Sequence, residues 1–552
     1  MKGRSLTVAL AAILILTGCN SSQDNATTAQ NLTEESALRP ADGDQLVSVV
    51  GPIQTLNFLE SFDTDQLDVV YLLSDPLVTF GRNLELVPRL AERWEIADDH
   101  RSVTFYLQKE ARFHDGTPCT AADVVFSYER SLDPEVLWGT YKTNFELVES
   151  VTAVDPHTVK VVYRQPVSNM LSSFVDFFII PKHIYDKPDV PFKDNPANWD
   201  PIGTGPYKMV SWEKDVRIVL EANEDYFGGR PHLDRIIFSI LNQNTMCFDM
   251  MLNGELDLVP ISTMEWQFRT SSERFKESFQ KRKYFILAFY FTAWNNKNPF
   301  FSDVRVRQAM AYLCDRKSFN DTSYFSQWKI ASTAVHPESP FFNPEVKPYP
   351  FDPETATKLL TEAGLLDRNK DGILEDARGR PFKFDFVVSA SDERAERFAE
   401  FYQSSLADHG IQLDIVKADD ASFQDRLNDG RFDAYYNGWV TGVDADFLIS
   451  IFRTPGSLES YNNMGYSNPE LDHLLDQADK ELDGEKRREL YLDAQEIIHE
   501  DQPYLFLYYP AALIAVHNRY RALQPSARGI FRWYPGVTEA YVPKPLQKPL
   551  TD

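Results

Sequence analysis

The chain has 552 residues, with 82 Asp and Glu against 56 Lys and Arg, a formal net charge of −26. That excess of negative charge repels phosphate backbones and excludes nucleic acid as a partner. A chain this long exceeds one hydrophobic core, so two or three domains are expected.

At the amino terminus, Lys2 and Arg4 precede an apolar run from Leu6 to Leu16. About eleven apolar residues suit the h-region of a signal peptide, whereas a membrane-spanning helix needs roughly twenty. The run ends in Leu16-Thr17-Gly18-Cys19, which resembles a bacterial lipobox. The resemblance implies that 1–18 is removed as a signal peptide and that Cys19 carries the lipid. The protein is then exported and held at a membrane as a lipoprotein facing the periplasm or cell exterior. The small and polar residues of 19–41 read as a flexible tether. The chain has four cysteines. With Cys19 assigned to lipid, Cys119, Cys247 and Cys314 are an odd set without metal-ligand spacing, although one pair could still bridge.

Along the chain, strand-like and helix-like segments alternate, which favours an α/β architecture. Val103, Phe105 and Leu107 alternate with Thr104, Tyr106 and Gln108, the pattern of a half-buried strand. Asp115-Gly116 supplies a turn, and Thr120 with Asp123 forms a capping box ahead of Val124, Val125, Phe126 and Tyr128. Pro201 to Asp215, PIGTGPYKMVSWEKD, reads as a glycine-proline turn entering a strand. No Lys-Ser/Thr follows it, so a phosphate loop is disfavoured. In Pro299 to Arg316, PFFSDVRVRQAMAYLCDR, Ser302 is a candidate cap. Val306, Ala309, Met310, Leu313 and Cys314 then fall on one helical face.

Asp367, Asn369, Asp371 and Gly372 copy positions one, three, five and six of a calcium loop, but Arg378 stands where a bidentate glutamate is needed. A surface turn before the strand Phe382 to Val388 is the plainer reading, with weak calcium binding as the alternative and no other metal site expected. Farther on, Leu471, Leu474, Leu475, Ala478 and Leu482 make one amphipathic helix. Leu490, Tyr491, Ala494, Ile497 and Ile498 make another.

Four blocks carry a specific resemblance: 89–130, RLAERWEIADDHRSVTFYLQKEARFHDGTPCTAADVVFSYER; the Gly-Thr-Gly-Pro-Tyr turn; 299–316; and Tyr461 to Leu475, YNNMGYSNPELDHLL. In this order, over about residues 76–510, they resemble the family 5 bacterial extracellular solute-binding proteins, which include oligopeptide and dipeptide receptors of ABC importers. The resemblance implies an α/β fold of two lobes closing like a flytrap (the periplasmic-binding-protein type), with an extra third domain. It places lobe I at 42–75, 203–290 and 515–552, the extra domain at 76–202, and lobe II at 291–514. It also implies a monomeric receptor without cofactor, handing peptides to a permease driven by ATPases. No Gly-x-Ser-x-Gly, His-Glu-x-x-His or Cys/His signature points to an enzyme. The alternatives are a non-peptide cargo (metal chelate, haem, glutathione, opine or oligosaccharide) or a sensory lipoprotein without a permease.

For ligand contacts, the resemblance points to Arg431 to Phe447, RFDAYYNGWVTGVDADF. Phe432-Asp433-Ala434 begins a strand that Asn437-Gly438-Trp439 ends. In peptide receptors of the family the equivalent tryptophan borders the ligand, and an aspartate just after it pairs with the α-ammonium. Here Gly442 stands at that place, followed by Asp444 and Asp446. Either Asp444 takes over the ammonium, or the ligand lacks that group, or both aspartates cap the helix FLISIF. Trp439, Asp444, Asp446, Asn437 and one of Tyr435 and Tyr436 are therefore candidates. Phe291, Trp294 and Asn295, on the strand leaving lobe I, are weaker ones.

Overall fold

A computed structural model of the chain describes residues 38–60, 63–133, 136, 144–187, 189–241, 246–455 and 460–550. The expected signal peptide, Cys19 and all but the last residues of the expected tether lie outside these.

The structure is mixed α/β, and its core divides by sheet. Lobe I carries a four-stranded sheet ordered Gln45–Val50, Arg235–Ile240, Arg217–Ala222 and Tyr207–Glu213, the first pair parallel. Beside it lies an antiparallel three-stranded sheet, Leu258–Pro260, Ala511–His517 and Phe279–Phe285. The extra domain is built on an antiparallel sheet of Ala91–Ile96, Ser102–Leu107, Thr158–Tyr163 and Val148–Asp155. In Ser102–Leu107 the expected alternation holds, with Val103, Phe105 and Leu107 buried. The capping box forms as read: Asp123 accepts the Thr120 N–H at 2.9 Å and opens the helix Ala121–Ser131.

Lobe II is a six-stranded sheet between two helical layers. Its order is Lys329–Ile330, Tyr504–Tyr509, Ala288–Trp294, Ala434–Val440, Lys383–Ser389 and Gln412–Ala418. The run Tyr-Leu-Phe-Leu-Tyr-Tyr at 504–509 has no polar face because both faces are covered, and all six residues are buried. One layer includes Val304–Tyr312 and Glu393–Ala407; the other includes the amphipathic helices Pro469–Lys480 and Gly484–Asp501. Two local expectations are corrected. The cap of Val304–Tyr312 is Asp303, whose carboxylate accepts the Arg305 N–H at 2.9 Å, while Ser302 Oγ donates backward to Pro299 O. Leu482 lies past the end of its helix, which stops at Lys480. Cys119, Cys247 and Cys314 are buried free thiols, so none of these three is bridged.

The chain passes between the lobes at two adjacent points. Phe279–Phe285 leads through Ile286 and Leu287 into Ala288–Trp294, and Tyr504–Tyr509 leads through Pro510 into Ala511–His517. Phe285 pairs with Ala511, and the Ile286 N–H donates to Pro510 O at 3.2 Å.

The Gly-Thr-Gly turn locks the extra domain to lobe I. A Cβ at Gly203 would lie 2.0 Å from Leu73 O, and one at Gly205 would lie 2.4 Å from Leu72 O, so only glycine fits under the helix Thr64–Leu73. Between them, Thr204 Oγ1 donates to Asp75 Oδ2 at 3.2 Å. Asp75 is fully buried, ion-paired with Arg89 and hydrogen-bonded by Tyr226. His114 braces the turn from the other side, with Nδ1 accepting the Gly203 N–H and Nε2 facing Gly205 O at 3.1 Å. Burial pushes that imidazole down to about 4, which fits a neutral ring with Nε2–H donating.

Candidate functional site

A cavity of about 450 Å³ opens where the lobes meet, directly against the pivot. Its size is that of a small-molecule site. Ile286 and Leu287 form its floor, and Val440, Thr441 and Gly442 bring lobe II to its edge. Lobe I contributes apolar surface from Val49, Leu258, Ile514 and Phe531.

Its charged side chains come from the side opposite lobe II. Asp65 and Asp68 project from the helix Thr64–Leu73, Asp176 stands beyond them, and Arg528 and Arg532 face them, with the Tyr284 hydroxyl alongside. Arg528 Nη2 donates to Asp176 Oδ1 at 2.7 Å and to the Tyr71 hydroxyl at 2.6 Å. Arg532 Nε lies 2.9 Å from Asp68 Oδ1. Burial pushes the Asp68 carboxyl up to about 6, against the opposing pull of Arg532. Asp65 is also raised by burial, although its Oδ2 accepts the Gly51 N–H at 2.9 Å. No local signal in the sequence singles out these residues. Asp65 and Asp68 share a helix face at i, i+3 spacing, as many surface acids do, and the two arginines lie in an irregular tail segment.

The structure treats the sequence-derived candidates differently. The Trp439 ring is half-buried beside Tyr461, 5.3 Å between centroids, with Nε1 3.5 Å from the Tyr504 hydroxyl. It precedes the three residues at the cavity edge without itself lining the cavity. Asn437 is half-buried and accepts the Gly438 N–H. Tyr435 and Tyr436 are both buried, in opposite helical layers, and Tyr436 stacks on Tyr290 at 5.7 Å. Phe291 stacks on Tyr504 at 3.9 Å. Trp294 is fully buried against Phe301, and Asn295 ties off the strand by donating to Phe432 O at 2.7 Å. At ~3.3 Å per residue, Asn295 stands about 26 Å along the strand from Leu287.

Asp444 and Asp446 are brought together, but on a cation of the protein itself. Arg487 grips Asp444 through both ends of its fork, at 2.9 and 3.0 Å, and also bonds Asp446. Tyr491 donates to Asp446 at 2.6 Å. Burial and the neighbouring Asp446 charge raise the Asp444 carboxyl, while Arg487 pulls it down. Asp446 occupies the cap position of Phe447–Phe452 without bonding its amides. The loop also reaches across the cleft: the Asn169 amide donates to Asp446 Oδ2 at 2.9 Å. Val443 packs with Leu84, Leu287 and Ala527. Loop, pivot, extra domain and lobe I therefore meet beside the cavity.

Away from the cleft, Asp367, Asp371 and Glu375 bring carboxylate oxygens within 4.8 Å of one another. Asn369 instead hydrogen-bonds Asp371, and Glu375 accepts the Arg368 N–H at 2.7 Å. Among the described residues, no helix is long and apolar enough to cross a membrane.

Comparison with known proteins agrees with this architecture. The oligopeptide-binding protein AppA of Bacillus subtilis is 28% identical over 541 residues, covering 96% of each chain. Heme-binding protein A of Haemophilus influenzae is 29% identical over 555 residues, covering 97% of this chain and 99% of its own. The solved structure of the ABC transporter substrate-binding protein CtaP from Listeria monocytogenes superposes with a TM-score of 0.78 at 26% identity, covering 91% of this chain and 99% of that one. Residues 85–458 match the model of the bacterial extracellular solute-binding proteins, family 5 (middle region), and the chain belongs to that family.

Proposed function

We propose that the protein is the substrate-binding receptor of an ABC importer, taking a peptide into the inter-lobe cleft and passing it unaltered to a membrane permease. The observation that carries this reading is the position of the cavity, set on the pivot and lined by both lobes. Closing around a solute removes it from water on two sides, so ligand shifts the population toward the closed form that a permease can recognise. On this reading the moving bodies divide at Leu287 and Pro510, and Trp439, just before the cavity-edge residues of lobe II, meets the part of the ligand that extends past that edge. A cavity of about 450 Å³ favours a short peptide. Cys19, acylated after removal of 1–18, holds the receptor at the membrane through the 19–41 tether.

The direct test is mass spectrometry of solute released from protein purified from its native host, with thermal-shift measurements on the identified compound. Ligand raises apparent stability by mass action. Recovery of peptides supports the reading, whereas recovery of a haem, a metal chelate or a sugar replaces the cargo and keeps the receptor. Trp439→Ala should weaken binding by about tenfold, the effect of losing about 1.4 kcal/mol of aromatic contact.

A further inference from the structure

Three observations separate the charge of the cleft from the loop after Trp439. First, Gly442 lines the cavity with open space where a side chain would stand. A Cβ built there meets nothing nearer than Asp444 N at 4.0 Å, so packing does not require glycine. Second, the two carboxylates that follow are engaged by Arg487, Tyr491 and Asn169. Third, the opposite wall turns Asp68 into the cavity, with its side chain still 21% exposed. Arg532 Nε meets Asp68 Oδ1 at 2.9 Å and occupies that oxygen alone, leaving the other carboxylate oxygen to a further donor. A largely buried carboxylate gains from each donor that replaces the water it has lost. Asp65, three residues earlier on the same helix face, adds negative potential at that spot. A ligand cation placed there would supply both the donor and the charge.

We propose that Asp68, with Asp65 beside it, holds the cationic end of the solute, so that the ammonium-binding role sits on lobe I. This rests on the receptor reading above and adds a charge requirement to it. A solute anchored this way has an amine or guanidinium within reach of the helix Thr64–Leu73, and its remainder extends toward Gly442, where the missing side chain leaves room.

The test is calorimetric titration of the full mature protein with trialanine, trilysine and their N-acetylated, side-chain-acetylated forms, alongside capture of solutes from yeast extract. The expected result is binding of the free amines at least tenfold tighter than the blocked forms, with a tenfold or greater loss in Asp68→Asn. The acetylation comparison uses the native chain, so it stands even if Asp68→Asn does not fold. Equal binding of free and blocked peptides overturns the assignment and leaves the receptor reading in place. So does an affinity of Asp68→Asn within twofold of wild type, or retention only of extract solutes that carry no cationic group. If neither the peptides nor any extract solute binds, both readings fall.

Discussion

Asn169 of the extra domain and Asp446 of lobe II share a hydrogen bond of 2.9 Å across the cleft. It joins two bodies whose covalent links run through the pivot, so on the proposed receptor reading opening the cleft breaks it. A hydrogen bond of this kind contributes about 1 kcal/mol net. Asn169→Ala should therefore weaken solute affinity by about threefold to tenfold, chiefly through faster release, and stopped-flow dissociation of the bound solute measures it.

Arg487 is only 6% exposed and carries two carboxylates, Asp444 and Asp446. Replacing it with methionine removes the cation and leaves two charges crowded in a half-buried loop. The expected loss is about 2–4 kcal/mol, reduced from the fully buried case because Asp446 reaches solvent. A lower urea midpoint for Arg487→Met, largely recovered on adding Asp444→Asn and Asp446→Asn, is the result to look for.

Two glycine substitutions should have opposite outcomes. Gly203→Ala places a methyl 2.0 Å from Leu73 O and forces the turn off the helix, at a cost of about 3 kcal/mol. Gly484→Ala, at the open first turn of Gly484–Asp501, meets nothing within 4 Å and should stabilise by about 0.5 kcal/mol. Thermal denaturation of the two variants side by side checks both.

Binding of a cation at Asp68 should depend on pH. Burial raises this carboxyl to about 6, with Asp65 and Asp63 adding to the rise and Arg532 opposing it. Tyr284, the remaining titratable group facing it, is pushed up to about 12 and stays neutral. A bound cation favours the ionised form, so affinity is full above pH ~6 and falls by up to about tenfold per unit below it. Titrations of a cationic peptide between pH 7.5 and 4.5 should show this slope in the wild type and lose it in Asp68→Asn.

Stability should have an acid slope of its own. His336 is 2% exposed, its Nδ1 accepts the Glu338 N–H at 3.2 Å, and burial pushes it down to about 4. A lowered imidazole means that the unfolded chain binds the proton first. The contribution is complete above pH ~6.5 and is lost as pH falls toward 4, amounting to roughly 3 kcal/mol. Urea midpoints measured across that range should flatten in His336→Gln.

The architecture was legible in the sequence because its signals are short-range. The alternation at 103–107 and the Thr120–Asp123 box each fit within a few residues, and the structure forms them as read. The cleft is harder to read because its walls assemble from distant segments. Arg528 meets Tyr71 across 457 positions, and no window of sequence holds both. Read locally, Asp444 and Asp446 have two outlets, a ligand or the amides of the next helix. The structure supplies a third in Arg487, 43 positions downstream of Asp444. Trp294 and Asn295 show the converse limit: Trp294 ends the strand Ala288–Trp294 and Asn295 follows it, far from the cavity beside Leu287, a distance that only the register with Ala434–Val440 makes plain.

The pairing of Ile286 with Pro510 makes the two connectors one hinge pin instead of two independent tethers. A body mounted on a single pin can swing but cannot slide or twist freely. Displacement is therefore least beside Leu287 and greatest at the outer rim. Tyr284 and the neighbouring Asp68 lie close to the pin, where such a swing displaces groups least. On the proposed receptor reading, solute recognition at that depth begins before the jaws move, and the outer loop locks what the inner wall has already chosen.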